Sequence, residues 1–464
     1  MLRKSLKALR SPLTAALLAA LTALPASAQT LADTMVAAYR YSALLEQNRA
    51  VLRAADEDAA AALAELRPII QWVAEHTYNY SDGLDTQTTG IALQAQITLY
   101  DWGRNAFAID IAKETVLATR AALVGIEQDV LLGAVQAYLD VRSATEQVEL
   151  QTNSVRVIGQ EQQAATDRFD VGEITQTDVA QADAALAEAR ANLSAAEGDL
   201  EIAREAYHTS TGAYPSALAA PPPLPSLPAN LDAARGVAQR THPAITQARR
   251  QTSASELAVG AAAAERSPNL TGTLGIERQR SNANATLSTE YATQGSASIQ
   301  MSQTLYSGGR LPAQHRRAMA NRDSARAVLL NTSRQVNAAV ANAWASIDVA
   351  QAQIVSIDEQ IVAAEQAYNG VREEATLGAR TTLDVLEAEQ SLIAARASKI
   401  TAEANLQLAH YQLLAAMGLL TVENLRLGIP TYDPSAYYNA VQDAPYTSRQ
   451  GKSLDRVLRA IGQE

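Results

Sequence analysis

The sequence predicts a mixed α and β membrane chain, duplicated internally. Long helices pair as antiparallel coiled coils, and a few strands carry the pattern of membrane-crossing segments. Three observations support this. Residues 99–212 return at 305–418 without a gap, at a constant offset of 206. From Arg104 to about Phe169 there is no proline, and only Gly125, Gly133 and Gly159 interrupt an alanine-rich stretch. Two segments near residues 91–99 and 297–305 alternate apolar with small polar residues.

The duplication is legible residue by residue. Leu99-Tyr100-Asp101-Trp102-Gly103-Arg104 returns as Leu305-Tyr306-Ser307-Gly308-Gly309-Arg310, Gly172 as Gly378, Asp178-Val179 as Asp384-Val385, and Gly212 as Gly418. Upstream the offset is 200, taking Ala64-Glu65 to Ala264-Glu265 and Pro68 to Pro268. The offset therefore changes by six between Pro68 and Leu99, so a loop there must differ in length. Register held this long implies two structurally equivalent halves.

Residues 1–28 read as an export signal: Arg3, Lys4, Lys7 and Arg10, then an apolar stretch 13–24, then Ala26-Ser27-Ala28. No later run of 18 apolar residues follows, so a membrane crossing is expected from strands rather than a helix. The chain has no cysteine, which removes disulfides, thiolate metal sites and an N-terminal lipidated cysteine. A net charge of −11 argues against nucleic acid as a partner.

Each repeat (29–214 and 231–418) reads helix, two strands, long helix, sharp turn, helix. In the first, the opening helix is 31–66, the long helix runs from 104 to about 169, and 175–210 resumes after Asp170-Val171-Gly172. In the second these become 231–266, 310–376, the turn Leu377-Gly378-Ala379, and 381–417. Apolar residues of the long helix (Val116, Leu117, Leu123, Val124, Leu131, Val135 and Leu139) recur at helical spacing. A helix of about 66 residues reaches roughly 100 Å, and the two shorter helices together match it, so an antiparallel coiled-coil rod is expected.

Between the helices, Ile91, Leu93, Ala95, Ile97 and Leu99 alternate with Ala92, Gln94, Gln96 and Thr98. Ala297, Ile299, Met301 and Leu305 do so in the second copy, with Gln303 the one break. Residues 68–80 and 269–280 are the weaker partner strands, and 81–89 and 281–295 are polar connections. About ten residues with one apolar face is the signature of a barrel strand, and an amphipathic sheet on a soluble core would show the same alternation. Tyr78, Tyr80, Tyr100, Trp102 and Tyr306 lie near strand ends, where an interfacial belt would place them. Four strands cannot close a barrel, and an open edge in lipid is not viable, so spanning strands require oligomerisation. Three copies would give ~12 strands. Residues 215–230, with Pro221-Pro222-Pro223, form a stiff linker, and the tail 419–464 is expected to wrap the middle of the helical assembly.

This combination resembles the TolC family of outer-membrane channel proteins. The resemblance rests on the duplicated units, on Leu305–Arg310, on Arg168-Phe169-Asp170-Val171-Gly172, and above all on the run from Leu377 to Leu386. It implies a homotrimer in the Gram-negative outer membrane. The strands would form a shared barrel and the helices a periplasmic tunnel, docked to an inner-membrane transporter (ABC or RND type) through a periplasmic adaptor. Such a protein is the exit duct of an efflux pump or type I secretion system and needs no cofactor. The resemblance further implies a closed-state network of Arg380 with Asp178 and Glu161, and docking turns at Val171-Gly172 and Leu377-Gly378. A tyrosine of that closing network is replaced here by Ala375. Asp384 and Glu387, three apart, share one helical face. In three copies they would form carboxylate rings that favour cations, although first-turn acids also complement a helix dipole.

Two other classes fit the sequence less well. The histidines, His76, His208, His242, His315 and His410, show no metal-ligand spacing, and no nucleophile or phosphate-loop motif is present, which argues against an enzyme. A soluble periplasmic coiled-coil adaptor or scaffold would not need alternating strand pairs in both copies.

Overall fold

The computed structural model describes residues 28–80, 86–283, 290–441 and 456; the export signal lies outside them but for its last residue. The first copy comprises α1 (Leu31–Tyr41), α2 (Ala43–Ala64), β1 (Ile69–Asn79), β2 (Thr86–Tyr100), α3 (Arg104–Asp170) and α4 (Gln176–Thr211). The second comprises α5 (Leu231–Thr241), α6 (Pro243–Ala264), β3 (Asn269–Ala283), β4 (Ala292–Ser302), α7 (Arg310–Thr376) and α8 (Thr382–Ala416), and a short α9 (Pro434–Val441) follows. The chain divides into two compact units: one of residues to Tyr41, Gly133–Leu224 and Ala352–Leu408, the other of Ser42–Leu132, Pro225–Gln351 and the chain from Ala409.

Buried positions recur every seven residues. They are Leu45, Leu52 and Ala59 on α2, Ala182, Ala189, Ala196 and Ala203 on α4, Val336, Ala343 and Ala350 on α7, and Ala395, Ala402 and Ala409 on α8. A seven-residue apolar repeat keeps one seam facing a partner helix when the helices supercoil left-handedly. Alanine at that seam allows close axial approach. One 18-residue window of α3 has a mean hydropathy of 1.2, higher than the sequence reading allowed for, but 44 % of that window is buried within the chain. It has the composition of a packed helix seam.

The opening helix of each copy is not continuous, contrary to expectation. In the second copy Pro243 forces His242 into extended backbone (φ −67°, ψ 125°). In the first, Ser42 takes the same conformation (φ −62°, ψ 108°) and its hydroxyl accepts from Leu45 N–H, capping α2. Each break is met by a glycine that ends another helix. Gly212 lies against the Tyr41 ring, and Gly418 against the backbone of Thr241 and His242. Thr241 also donates its hydroxyl to the Met417 carbonyl at 2.6 Å.

The four strands form one antiparallel sheet in the order β1-β2-β3-β4. Pairing places Trp72, Leu93 and Ile276 in one row and Ile70, Ala95, Leu274 and Ala297 in another, on one face. The opposite face carries rows such as Gln71, Gln94, Gly275 and Ser296. The apolar face is bare: Ile70, Trp72, Leu93, Leu274, Ile276, Ile299 and Met301 are all exposed. The expected aromatics Tyr78, Tyr80, Tyr100, Trp102 and Tyr306 are exposed at the strand ends.

The last pair of the first hairpin, Asn79 with Thr86, leaves residues 80–85 as the connection; that of the second, Gln279 with Ala292, leaves 280–291, six more. The change of offset is therefore a hairpin-loop difference. Both connections are shorter than their polar composition suggested, because the strands continue through Thr86–Thr89 and to Ala283. Thr is as suited to a strand as to a loop. β4 ends at Ser302, so Leu305 lies beyond it, and a bulge interrupts the ladder between Thr98 and Tyr100.

Of the tail, α9 packs against α2: Tyr437 donates its hydroxyl to Glu57 (2.7 Å), and Arg49 lies over the Tyr432 ring. The linker is pinned by Tyr138, whose hydroxyl donates to the Ala219 carbonyl at 2.6 Å, and by a bridge between Gln29 and Leu218.

Gly418 has φ 76°, and a Cβ there would lie 2.7 Å from the His242 Cα. Gly418→Ala is expected to cost about 1–3 kcal/mol. Gly428 has a similar φ of 69° with open space around it. In thermal melts Gly428→Ala should therefore lose distinctly less than Gly418→Ala.

Candidate functional site

Both helix–helix turns lie in the unit that holds Gly133–Leu224 and Ala352–Leu408, and they are built alike. Gly172 (φ 80°) and Gly378 (φ 75°) adopt the left-handed conformation. Gly172 N–H donates to the Phe169 carbonyl and Glu173 N–H to Arg168; Gly378 N–H donates to Ala375 and Ala379 N–H to Glu374. These are paired Schellman caps, which satisfy the carbonyls at a helix end and need a residue free to take positive φ. The next helix then starts with a capping box. Thr175 and Asp178 exchange hydrogen bonds at α4, and Thr381 and Asp384 do so at α8. The Thr175 and Thr381 donors hold the Asp178 and Asp384 carboxyls below the usual carboxylate range.

Asp384 is therefore a capping residue within the chain, and the same holds for Asp178. Glu387 lies one turn further along α8 and is exposed. Val171 and Leu377, at the apex of each turn, are 71 % and 84 % exposed, so each turn presents an apolar side chain to solvent.

Within one chain the three residues of the expected closed-state network do not meet. Arg380 donates from Nε to Glu374 Oε2 at 2.9 Å, bracing its own turn. Asp178 is held by Thr175, and Glu161 pairs with Arg372 at 3.4 Å. Ala375 is buried with Tyr368, Val385 and Leu392 and makes an apolar contact there.

The sequence reading missed a second feature of this unit. Glu389 on α8 is 4 % exposed, and its Oε2 has no hydrogen-bond partner among the described residues. Burial pushes its carboxyl up to about 7; Glu161 adds to the rise, while Arg372 and Arg156 oppose it. The only sequence signal was an acid on the buried face of α8, between Leu386 and Leu392, which are themselves buried. Among the described residues, no group of three or more His, Cys, Asp or Glu is placed to hold a metal ion.

An open four-stranded sheet with a bare apolar face, carried with paired coiled-coil hairpins on a duplicated chain, defines a class: the protomer of an outer-membrane channel. The comparisons agree. The family model "Outer membrane efflux protein" matches residues 35–213 and 234–419, and the chain belongs to that family. It is 33 % identical over 430 residues to outer membrane efflux protein BepC of Brucella suis, covering 91 % of this chain and 92 % of that one. It is 24 % identical over 423 residues to outer membrane protein TolC of Escherichia coli, covering 87 % and 86 %. The crystal structure of the outer membrane protein VceC from Vibrio cholerae has the same fold, with a TM-score of 0.72 at 24 % identity over 84 % of this chain and 96 % of that one. The chain is an outer-membrane efflux channel protein extending into the periplasm, and neither an enzyme nor a soluble scaffold.

Because Glu389 binds its proton more tightly folded than unfolded, its stabilising contribution is full below about pH 4.5 and is lost as pH rises through about 7. Glu389→Gln should therefore raise the melting temperature at pH 8, by an amount equivalent to roughly 1–3 kcal/mol. It should also flatten the wild type's loss of stability between those pH values, as read by circular dichroism in detergent.

Proposed function

We propose that three copies of this chain form the exit duct of a tripartite efflux pump or type I secretion system. An inner-membrane transporter of ABC or RND type is reached through a periplasmic adaptor, and lipid covers the apolar face of the sheet. The observation that carries the reading is the pair of equivalent turns, each capped the same way and each presenting an exposed apolar apex. Val171-Gly172 and Leu377-Gly378 are the docking surface for the adaptor. A rigid, doubly capped turn is a surface that another hairpin can grip without first ordering it.

The gate lies between copies. Arg380 is half exposed and pairs with Glu374 of its own turn, and when the duct is closed it exchanges that partner for Asp178 or Glu161 of a neighbouring copy. Adaptor docking then separates the hairpins and returns Arg380 to Glu374. Asp384 and Glu387 line the constriction, where rings of carboxylates favour cations.

Arg380→Ser should raise the resting single-channel conductance in planar bilayers, and an unchanged value would remove Arg380 from the gate. Asp384→Asn with Glu387→Gln keeps an acceptor for the Thr381 cap while removing both charges. A reduced cation preference in reversal potentials is expected, and wild-type potentials would exclude these acids from the constriction.

A further inference from the structure

The sheet has two open edges, β1 and β4, and the duplication specifies how they meet. The inner pair, β2 with β3, is a joint between the two repeats: the second strand of one meets the first strand of the other. It follows one register from Thr86 with Ala283 to Thr98 with Thr271, and then, past the bulge, Tyr100 with Leu270. Moving β2 forward by 206 gives β4 and the residues after it, and moving β3 back by 200 gives β1. Both shifts are confirmed by the hairpins, since the pair Ile69 with Gln96 becomes Asn269 with Ser302.

We propose that, where β4 of one copy adjoins β1 of the next, the two strands keep the β2–β3 register and Arg310 seals the seam by capping α2 of that next copy. The proposal rests on the oligomeric reading above and deepens it to single residues. Gln94 with Gly275 becomes Gln300 with Glu75, Ala95 with Leu274 becomes Met301 with Ala74, and Tyr100 with Leu270 becomes Tyr306 with Ile70.

Three independent features fit this register. The first is parity. Met301 and Ala74 both lie on the apolar face, and Gln300 and Glu75 both on the polar one, whereas a one-residue slip would turn Glu75 toward lipid. The second is the ragged end of β4. β2 runs to Tyr100 beside β3, but β4 stops at Ser302, and Leu305 and Tyr306 are 90 % and 88 % exposed against 47 % and 57 % for Leu99 and Tyr100. The missing four residues of strand are those that β1 of a second copy would order.

The third is an arginine whose repeat partner is already engaged. Arg104 opens α3 directly after β2, and its guanidinium donates to the carbonyls of Ala264 (3.1 Å), Glu265 (3.4 Å) and Ser267, closing the end of α6. Arg310 opens α7 on the same turn, with Gly308 and Gly309 at φ 60° and 88° where Trp102 and Gly103 have 53° and 88°. Inside its own chain it donates to Gln314 at 3.3 Å and is exposed. The matching end of α2 has the same turn as α6: Arg67 N–H donates to Ala64 as Ser267 N–H does to Ala264. Its carbonyls at Ala64, Glu65 and Arg67 are the acceptors that Arg310 of the preceding copy would take.

The absence of cysteine makes the test clean. Gln300→Cys with Glu75→Cys, and Met301→Cys with Ala74→Cys, sample adjacent pairs on opposite faces. Gln300→Cys with Thr77→Cys is the same-face control, displaced by two residues. Oxidation of the membrane-extracted protein should yield covalent trimers from both matched pairs on non-reducing gels, and little from the control. A native trimer that cross-links only in the displaced pair, or in neither matched pair, overturns the register but leaves the trimer standing. A monomer in mild detergent overturns both. Arg310→Ala should lower the temperature at which the native trimer dissociates in detergent, and an unchanged temperature removes Arg310 from the seam.

Discussion

The structure depends on one constraint: backbone N–H and C=O groups cannot be left unpaired in hydrocarbon. Four strands leave a row of such groups along β1 and another along β4. Neither edge carries the usual protections of a free sheet edge, such as proline or an inward charge on the apolar face. β4 has no charged residue at all. In the proposed trimer these edges would find each other. The duplication makes the outer edges copies of the inner joint, and the polar row facing away from lipid gives the register a parity that slippage would violate.

The helices answer a different demand. A coiled coil of alanine seams buries little area per residue, so its geometry must be set by more than hydrophobic burial. Termini and breaks supply this. Ser42 and His242-Pro243 interrupt the opening helices at equivalent places by different chemistry, one through a hydroxyl cap and the other through proline sterics. Gly212 and Gly418 each sit against the break of their own copy. Two unlike sequences producing one backbone feature indicate that the feature, and not either residue, is what the fold requires.

Much of this was legible in the sequence. Helical spacing in stretches with few breakers located the four long helices, and alternation located the stronger strand of each hairpin. The Gly172 and Gly378 turns were legible because positive φ leaves few alternatives to glycine. What escaped had weaker local signals. The break at Ser42 looks like ordinary helix, because serine caps only when the backbone around it departs from helix. Leu305 satisfied the alternation, but strand length also depends on the partner beside it, and β4 has no strand on its outer side among the described residues of the chain. In the sequence Arg104 marks only the start of the long helix, because its acceptors lie about 160 residues away. Glu389 was one acid among many until the neighbouring helices enclosed it.

In the proposed trimer six nearly equivalent hairpins would ring the duct, and selectivity and gating would come from where the repeats differ. At the caps they do not differ: Asp178 and Asp384 do the same work, and hydrogen bonds from Thr175 and Thr381 keep both carboxyls ionised to lower pH than usual. The divergence lies beside them. Gln181 faces Glu387, Ile174 faces Arg380, and exposed Asp183 faces buried Glu389. Charges differ on both hairpins: Arg380 and Glu387 belong to the second, whereas Asp170 and Glu173 of the first face Thr376 and Ala379. Glu389 of the second interacts electrostatically with Glu161 and Arg156 of the first. A carboxyl that burial holds near neutrality, between two arginines and another acid, costs least when the helices around it can rearrange. Buried Glu389 thus links the second hairpin electrostatically to the first.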